Sequence, residues 1–282
     1  MQAYRTLVTR TVGALVMAGA ALVGTGTVSA QLPLQVIREA GESVTPAYEG
    51  WYRLPDGRRV LLIGYFNRNT KQILDIPIGP NNRVEPGGPD MGQPTHFNQR
   101  RGWGVFTIVV PADFKDKYTW TIVANGKTES IPMGLHTDYE VEPFKDAAMG
   151  NTPPLLKFEM GGKTFTGPPI GIARELTATV GQPLALDVWV SDDNHKEPGS
   201  LRPATAPPAT FQWHKHRGPG DVKFAEQRPK IDFDADGKTS TTATFSAPGE
   251  YVLRAQSNDA TGEGGGGFQC CWTNAHVKVT VK

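Results

Sequence analysis

The sequence predicts an all-β protein: two β-sandwiches in tandem, preceded by an export leader and an extended arm. Three observations carry this. Short runs of β-branched and aromatic residues alternate with polar ones at a two-residue period. Glycines (32) and prolines (23) are spread through the 282 residues and punctuate any long helix. The charge is balanced, with 29 Lys+Arg against 28 Asp+Glu. A near-neutral chain has no overall electrostatic grip on nucleic acid or on an anionic membrane.

Residues 1–30 read as a cleaved signal peptide. Arg5 and Arg10 form the positive end, Val12 to Val23 the apolar run, and Val28-Ser29-Ala30 the small-x-small cleavage site. The apolar run is short for a bilayer span. No second apolar segment follows, so the mature chain is expected to be secreted, at the cell surface or in a periplasm, with no transmembrane segment. Residues 31–46 form the arm, in which Leu32, Leu34 and Val36 alternate with Pro33 and Gln35 as a half-buried strand does.

The first sandwich is expected over 47–143. Val60 to Phe66 is apolar on both faces, as a central strand is. The Pro- and Gly-rich stretch Gly79 to Gln93 reads as a long loop. Tyr118, Trp120 and Ile122 alternate with Thr119, Thr121 and Val123 and lead into Asn125-Gly126, the strongest short-range hairpin signal. The returning strand is expected over Lys127 to Ile131, closed by Pro132. A linker covers 144–154, in which Phe144 to Met149 is the only helix-compatible stretch.

The second sandwich is expected over 155–282. Its strands are marked by Leu184, Leu186, Val188 and Val190, by Phe211 and Trp213, by Ala243 and Phe245, by Tyr251, Leu253 and Ala255, and by Val277, Val279 and Val281. The string Gly181-Gln182-Pro183-Leu184, Ser191-Asp192-Asp193, Phe211-Gln212-Trp213, Gly218-Pro219-Gly220-Asp221-Val222 and Ala243 to Tyr251, with Asn258-Asp259 and Val277-Lys278-Val279, resembles the PKD-type immunoglobulin-like domain. The resemblance covers roughly residues 170–282. It implies a seven-stranded sandwich of the kind found in tandem in surface and secreted proteins, and it specifies fold far better than function. The insert Asn194 to Ala209 and the tract Thr261 to Trp272 depart from the family pattern. The first unit has similar strand spacing but matches no family by its motifs.

Several constellations could carry chemistry. His214 and His216 lie two apart on a strand; with Phe211 and Trp213 inward, both imidazoles face out and could share a metal, although Lys215 and Arg217 disfavour one. Asp192, Asp193 and Asn194, with Asn258 and Asp259, could hold Ca²⁺ between two sandwich end-loops, or could simply cap turns. Cys270 and Cys271 are adjacent with no third cysteine, which leaves a vicinal ring, free thiols or bonds to another chain. Gly264 to Gly267 lacks the Lys-Ser/Thr of a phosphate loop. Trp189 is the aromatic most expected at the surface, whereas Trp51, Tyr52, Tyr65, Phe66, Trp103 and Phe106 are what packing a sandwich needs.

No Gly-x-Ser-x-Gly, His-Glu-x-x-His or Cys-x-x-Cys occurs, and no enzyme is expected. The favoured role is a structural or adhesive surface protein acting through protein contacts. The arm with Leu32, Leu34 and Val36 either pairs within its own domain, the more common case, or pairs with an open sheet edge of a neighbouring copy and polymerises the protein. The first alternative is a carbohydrate-binding or accessory module of a secreted enzyme system. The second is a metal or redox protein using Cys270-Cys271 and the His pair.

Overall fold

The computed structural model describes residues 38–146, 150–195, 205–259 and 270–282. The leader, the arm residues Leu32, Leu34 and Val36, and the tract Gly264 to Gly267 lie outside them, as does most of the insert Asn194 to Ala209.

The first half is built from β1 (Val44–Arg53), β2 (Arg59–Asn67), β3 (Leu74–Asp75), β4 (Asn82–Glu85), β5 (His96–Phe97), β6 (Arg100–Val110), β7 (Lys117–Ala124) and β8 (Lys127–Gly134). One sheet runs β1-β2-β6 and the other β4-β7-β8, with β3 and β5 paired at one end. Leu61, Ile63, Phe106 and Ile108 from the first sheet meet Val84, Trp120, Ile122 and Met133 from the second, all buried. The hairpin forms as the pattern predicts: Asn125 and Gly126 both take positive φ, 49° and 73°, the backbone that a two-residue turn between twisted strands requires. Two expectations are corrected. The stretch Gly79 to Gln93 contains strand β4, anchored by Asn82, whose amide donates to the Ile76 and Pro94 carbonyls and accepts from Trp120 Nε1. Strand β8 runs past Pro132, because β8 is an edge strand and an edge tolerates a residue with no N–H.

The second half is built from β9 (Leu155–Lys157), β10 (Ile172–Ala178), β11 (Leu184–Ser191), β12 (Ala209–Arg217), β13 (Val222–Phe224), β14 (Lys238–Phe245), β15 (Gly249–Asp259) and β16 (Trp272–Val281). Its sheets are β10-β16-β15-β12 and β13-β14-β11-β9. All pairs are antiparallel except β10–β16, which is parallel. Alternation buries Leu186, Val188 and Val190 against Leu253, Ala255, Val277 and Val279, around Trp213 and Phe245. Tyr251 ties the sandwich's end: its hydroxyl donates to the Ala247 carbonyl (2.8 Å) and accepts from the Gly220 N–H (3.0 Å). A tyrosine tied back to backbone a few residues upstream is a mark of immunoglobulin-like sandwiches. Both halves are built of strands, and the unit Ile37–Lys282 is compact.

Candidate functional site

The outer face of the β12-β15-β16 sheet is where the second sandwich meets the first. On a free sandwich such a face is wet and polar. Here its polar residues are covered: His214, His216, Arg254, Gln256 and Asn274 are all buried. This corrects the expectation for the histidine pair. Both imidazoles do point away from the sandwich core, but into a protein interface.

The first sandwich supplies the matching surface from an irregularity in its own sheet. Strand β2 pairs Ile63 with Phe106 and then Tyr65 with Gly102, so Trp103, Gly104 and Val105 are extruded from the ladder as a tongue. The carbonyls of all three are taken by β16: Asn274 Nδ2 donates to Trp103 O (3.0 Å) and Gly104 O (3.1 Å), and His276 Nε2 to Val105 O (3.0 Å). Gly104 has φ +48°, and a Cβ there would stand 1.9 Å from the ring of Trp272. Only glycine lets the tongue lie flat on that indole.

Beneath the tongue sits Glu49. It is the unpaired residue at the register shift between Tyr48 and Gly50 in β1, and its carboxylate occupies the space that a side chain on Gly64 would fill. Its carboxylate accepts from the Gly104 N–H (2.7 Å) and from Arg101 Nη2 (2.6 Å). Burial pushes its pKa up to about 7, against the opposing pull of Arg101 and the Gly104 N–H.

The other side of the interface is held by β12, whose register shifts between Lys215 and Arg217. Lys215 Nζ reaches Asp75 Oδ1 (2.9 Å), His216 Nε2 reaches Gly92 O (3.0 Å), and the His216 carbonyl accepts from Thr95 N (3.0 Å). Arg217 forks onto both oxygens of Asp90 (2.7 and 3.1 Å) and also donates to Gln93 O. The stretch Gly79 to Gln93, a loop in the sequence pattern, is thus half of a docking surface. The rings of His216 and His276 lie 4.4 Å apart. His214 sits between Gln256 Oε1 (2.9 Å) and Asn98 Nδ2 (3.4 Å). Burial drives all three imidazoles toward the neutral form: His276 falls to about 4, and His214 and His216 fall well below their ordinary value.

Beside this interface lies an open cleft of about 1110 Å³, lined from both sandwiches. Arg100, Arg101, Lys215, Lys223, Arg228 and Arg254 line it, with Asp221 as its one carboxylate. A second, smaller hollow of about 460 Å³ shares Gln212, Arg228 and Gln256 with it, so the two form one groove along the sheet. Global charge balance hid this: folding gathers cations from β6, β12, β13 and β15 into one wall. The doublet Arg100-Arg101 was the only local signal.

Cys270 and Cys271 form a vicinal disulfide, buried immediately before β16 begins at Trp272. Of the three states open in the sequence, the ring is the one present, and the ladder starts only after it. Asp192 Oδ1 and Asp193 Oδ1 accept backbone N–H groups two residues on (2.8 and 2.9 Å), and Asp193 Oδ2 accepts from Thr152 (2.8 Å). Asp259 is buried against Asn151, and Asn258 Oδ1 accepts from Gln256. Among the described residues, no group of three His, Cys, Asp or Glu side chains could hold a metal ion. Trp189 is half-buried on the outer face of β11, with Lys238 Nζ 5.3 Å over its ring. Trp51, Tyr52, Tyr65 and Phe106 are buried core. No helix among the described residues is long and apolar enough to cross a membrane.

No protein-family model matches the sequence, and no curated protein matches it. The chain is similar to several solved structures. Domains 4 and 5 of the S-layer protein SbsC are 11% identical, over 61% of this chain and 68% of that chain, with TM-score 0.24. The D00-D0 domain of Intimin is 11% identical, over 84% of this chain and 100% of that chain, with TM-score 0.26. A tandem of titin Ig domains is 11% identical, over 86% of this chain and 99% of that chain, with TM-score 0.23. At TM-scores this low the likenesses carry no argument, and the fold rests on the strand pairing itself.

Proposed function

We propose that this is an exported, non-catalytic surface or structural protein that works by contact, and that the groove between its sandwiches is its contact face. The observation that carries the reading is the interface. Two sandwiches joined through the Trp103–Val105 tongue, Arg217–Asp90 and Lys215–Asp75 hold a shared concave wall in a fixed shape. Preorganised surface binds with less ordering cost than a hinge that must close. In this reading the second sandwich is of the PKD type. The arm with Leu32, Leu34 and Val36 joins copies edge to edge; a fall in mass by light scattering on deleting residues 31–40 tests that part.

The groove itself is tested by adhesion. Beads coated with residues 31–282 are passed over surfaces bearing immobilised proteins, neutral glycans and acidic glycans. Retention on one of them is expected, and loss of that retention in Gln99→Trp, which fills the groove mouth at the cost of one surface hydrogen bond to Lys71 O. Equal retention of both forms, or of neither, would show that the groove is not the contact face.

A further inference from the structure

We infer that the groove binds an acidic polysaccharide, one whose sugar rings carry carboxylates. The inference rests on the groove being the contact face, and deepens it by naming the ligand class.

Charge comes first. Six Lys and Arg side chains and one carboxylate line the cleft of a chain that carries 29 basic and 28 acidic residues in all. So asymmetric a wall draws anions and repels cations over a Debye length. Three of the six have fixed duties: Arg101 holds Glu49, Lys215 holds Asp75, and the buried Arg254 donates to Gln256 and Asn274. Arg100, Lys223 and Arg228 are exposed on the rim. Arg100 sits on β6 of the first sandwich, while Lys223 lies on β13 and Arg228 follows it in the second. Anions that contact all three therefore span both sandwiches. Guanidinium forks match carboxylates in two parallel bonds.

Size and shape come second. A cleft of about 1110 Å³ that continues into a hollow of about 460 Å³ exceeds the usual single small-ligand pocket. It suits several units of an extended chain.

The choice among polyanions follows from what the floor offers. An acidic peptide would bind best by adding a strand to a sheet edge. Strand β12, on the floor, has that edge already occupied: Trp213 N donates to Gln227 O (2.9 Å), and Gln227 Nε2 donates to Trp213 O (3.1 Å). A single-stranded nucleic acid needs exposed aromatic faces on which bases stack. In the cleft Tyr65 is buried and Phe224 lies stacked on Trp213; in the adjoining hollow Phe211 is buried and Phe233 packs against the core. Besides Thr70 and the apolar Ile73 and Val222, the walls offer the amides of Asn98, Gln99 and Gln212, set among the cations. Amides pair with sugar hydroxyls in both directions.

The test uses residues 31–282 and four probes: polygalacturonate, neutral dextran, poly-L-glutamate and a single-stranded oligonucleotide, each titrated at low and at physiological salt. Polygalacturonate is expected to bind, to weaken with salt, and to exceed the other three. Arg100→Glu, Lys223→Glu and Arg228→Glu, made singly, are each expected to weaken it about tenfold. All three side chains are exposed, so unchanged thermal midpoints certify folding. Poly-L-glutamate or the oligonucleotide binding as tightly through the same three residues would overturn the inference and leave the groove as contact face. Dextran binding equally would overturn it too. Binding of none of the four overturns it, and the bead assay with Gln99→Trp then decides separately whether the groove is a contact face at all.

Discussion

Gly104→Val is expected to unlock the two sandwiches. At φ +48° the added Cβ would stand 1.9 Å from Trp272 and within 2.7 Å of two further atoms of the same ring. Trp272 is fully buried and cannot swing away. A β-branched residue is also disfavoured at positive φ. Overpacking together with left-handed backbone costs about 3–5 kcal/mol. The cheapest relief is for the tongue to lift, which breaks the bonds from Asn274 and His276. Each sandwich keeps its own core, so the loss falls on the coupling between them. In urea the wild type is expected to unfold in one transition and the variant in two, with Gly104→Ala intermediate. A single transition for Gly104→Val at the wild-type midpoint would contradict this account of the tongue.

Acidification is expected to act on the same joint. In the closed form His214, His216 and His276 are held neutral, with pKa values lowered by burial. Once the joint opens, they take up protons near their ordinary pKa of about 6.5. Below that pH the open or unfolded state binds more protons, so stability falls as pH falls. The groups around them decide the net slope. Arg254, Arg217 and Arg228 reinforce the neutral form. Glu49 acts the other way: its raised pKa, about 7, means that the closed state takes up one proton between about 7 and 4.5 and gains from it. Three imidazoles against one carboxylate leave a net loss of about 2 kcal/mol per pH unit between about 6.5 and 4.5. Asp75, which burial would raise, is instead held down at about 2 by its bonds from His96 and Lys215. Its contribution is lost only as pH falls below about 3.8. Urea midpoints from about pH 8 to about pH 4.5 should be flat above 7 and fall steeply below 6.5. His276→Gln, which keeps a donor for Val105 O, should reduce the slope by about one proton. A midpoint independent of pH over this range would show that the histidines are not sealed in.

The strands were legible in the sequence because each is a local pattern. Tyr118 to Val123 followed by Asn125-Gly126 announces a hairpin, and Val277, Val279 and Val281 announce a strand with one buried face. The interface was not legible, because a polar strand face that another sandwich covers looks the same as one that water covers. Nothing near His214 or His216 in the chain points to Gly92 or Asn98, more than a hundred residues away. The tongue is a register defect in β6, visible only once β2 is laid against it. Trp103 between two glycines was its one trace. The groove was hidden by averaging, since its cations come from strands scattered along the chain. The cysteine pair left three states open because local spacing fixes adjacency and says nothing of oxidation.

Everything functional here depends on the sandwiches holding one orientation. Residual dipolar couplings of backbone N–H vectors in residues 31–282, near neutral pH, measure that directly. One alignment tensor is expected to fit the strands of both sandwiches, and two tensors should be needed in Gly104→Val. Two tensors of different magnitude in the wild type would mean that the halves reorient independently, and the fixed groove would not exist.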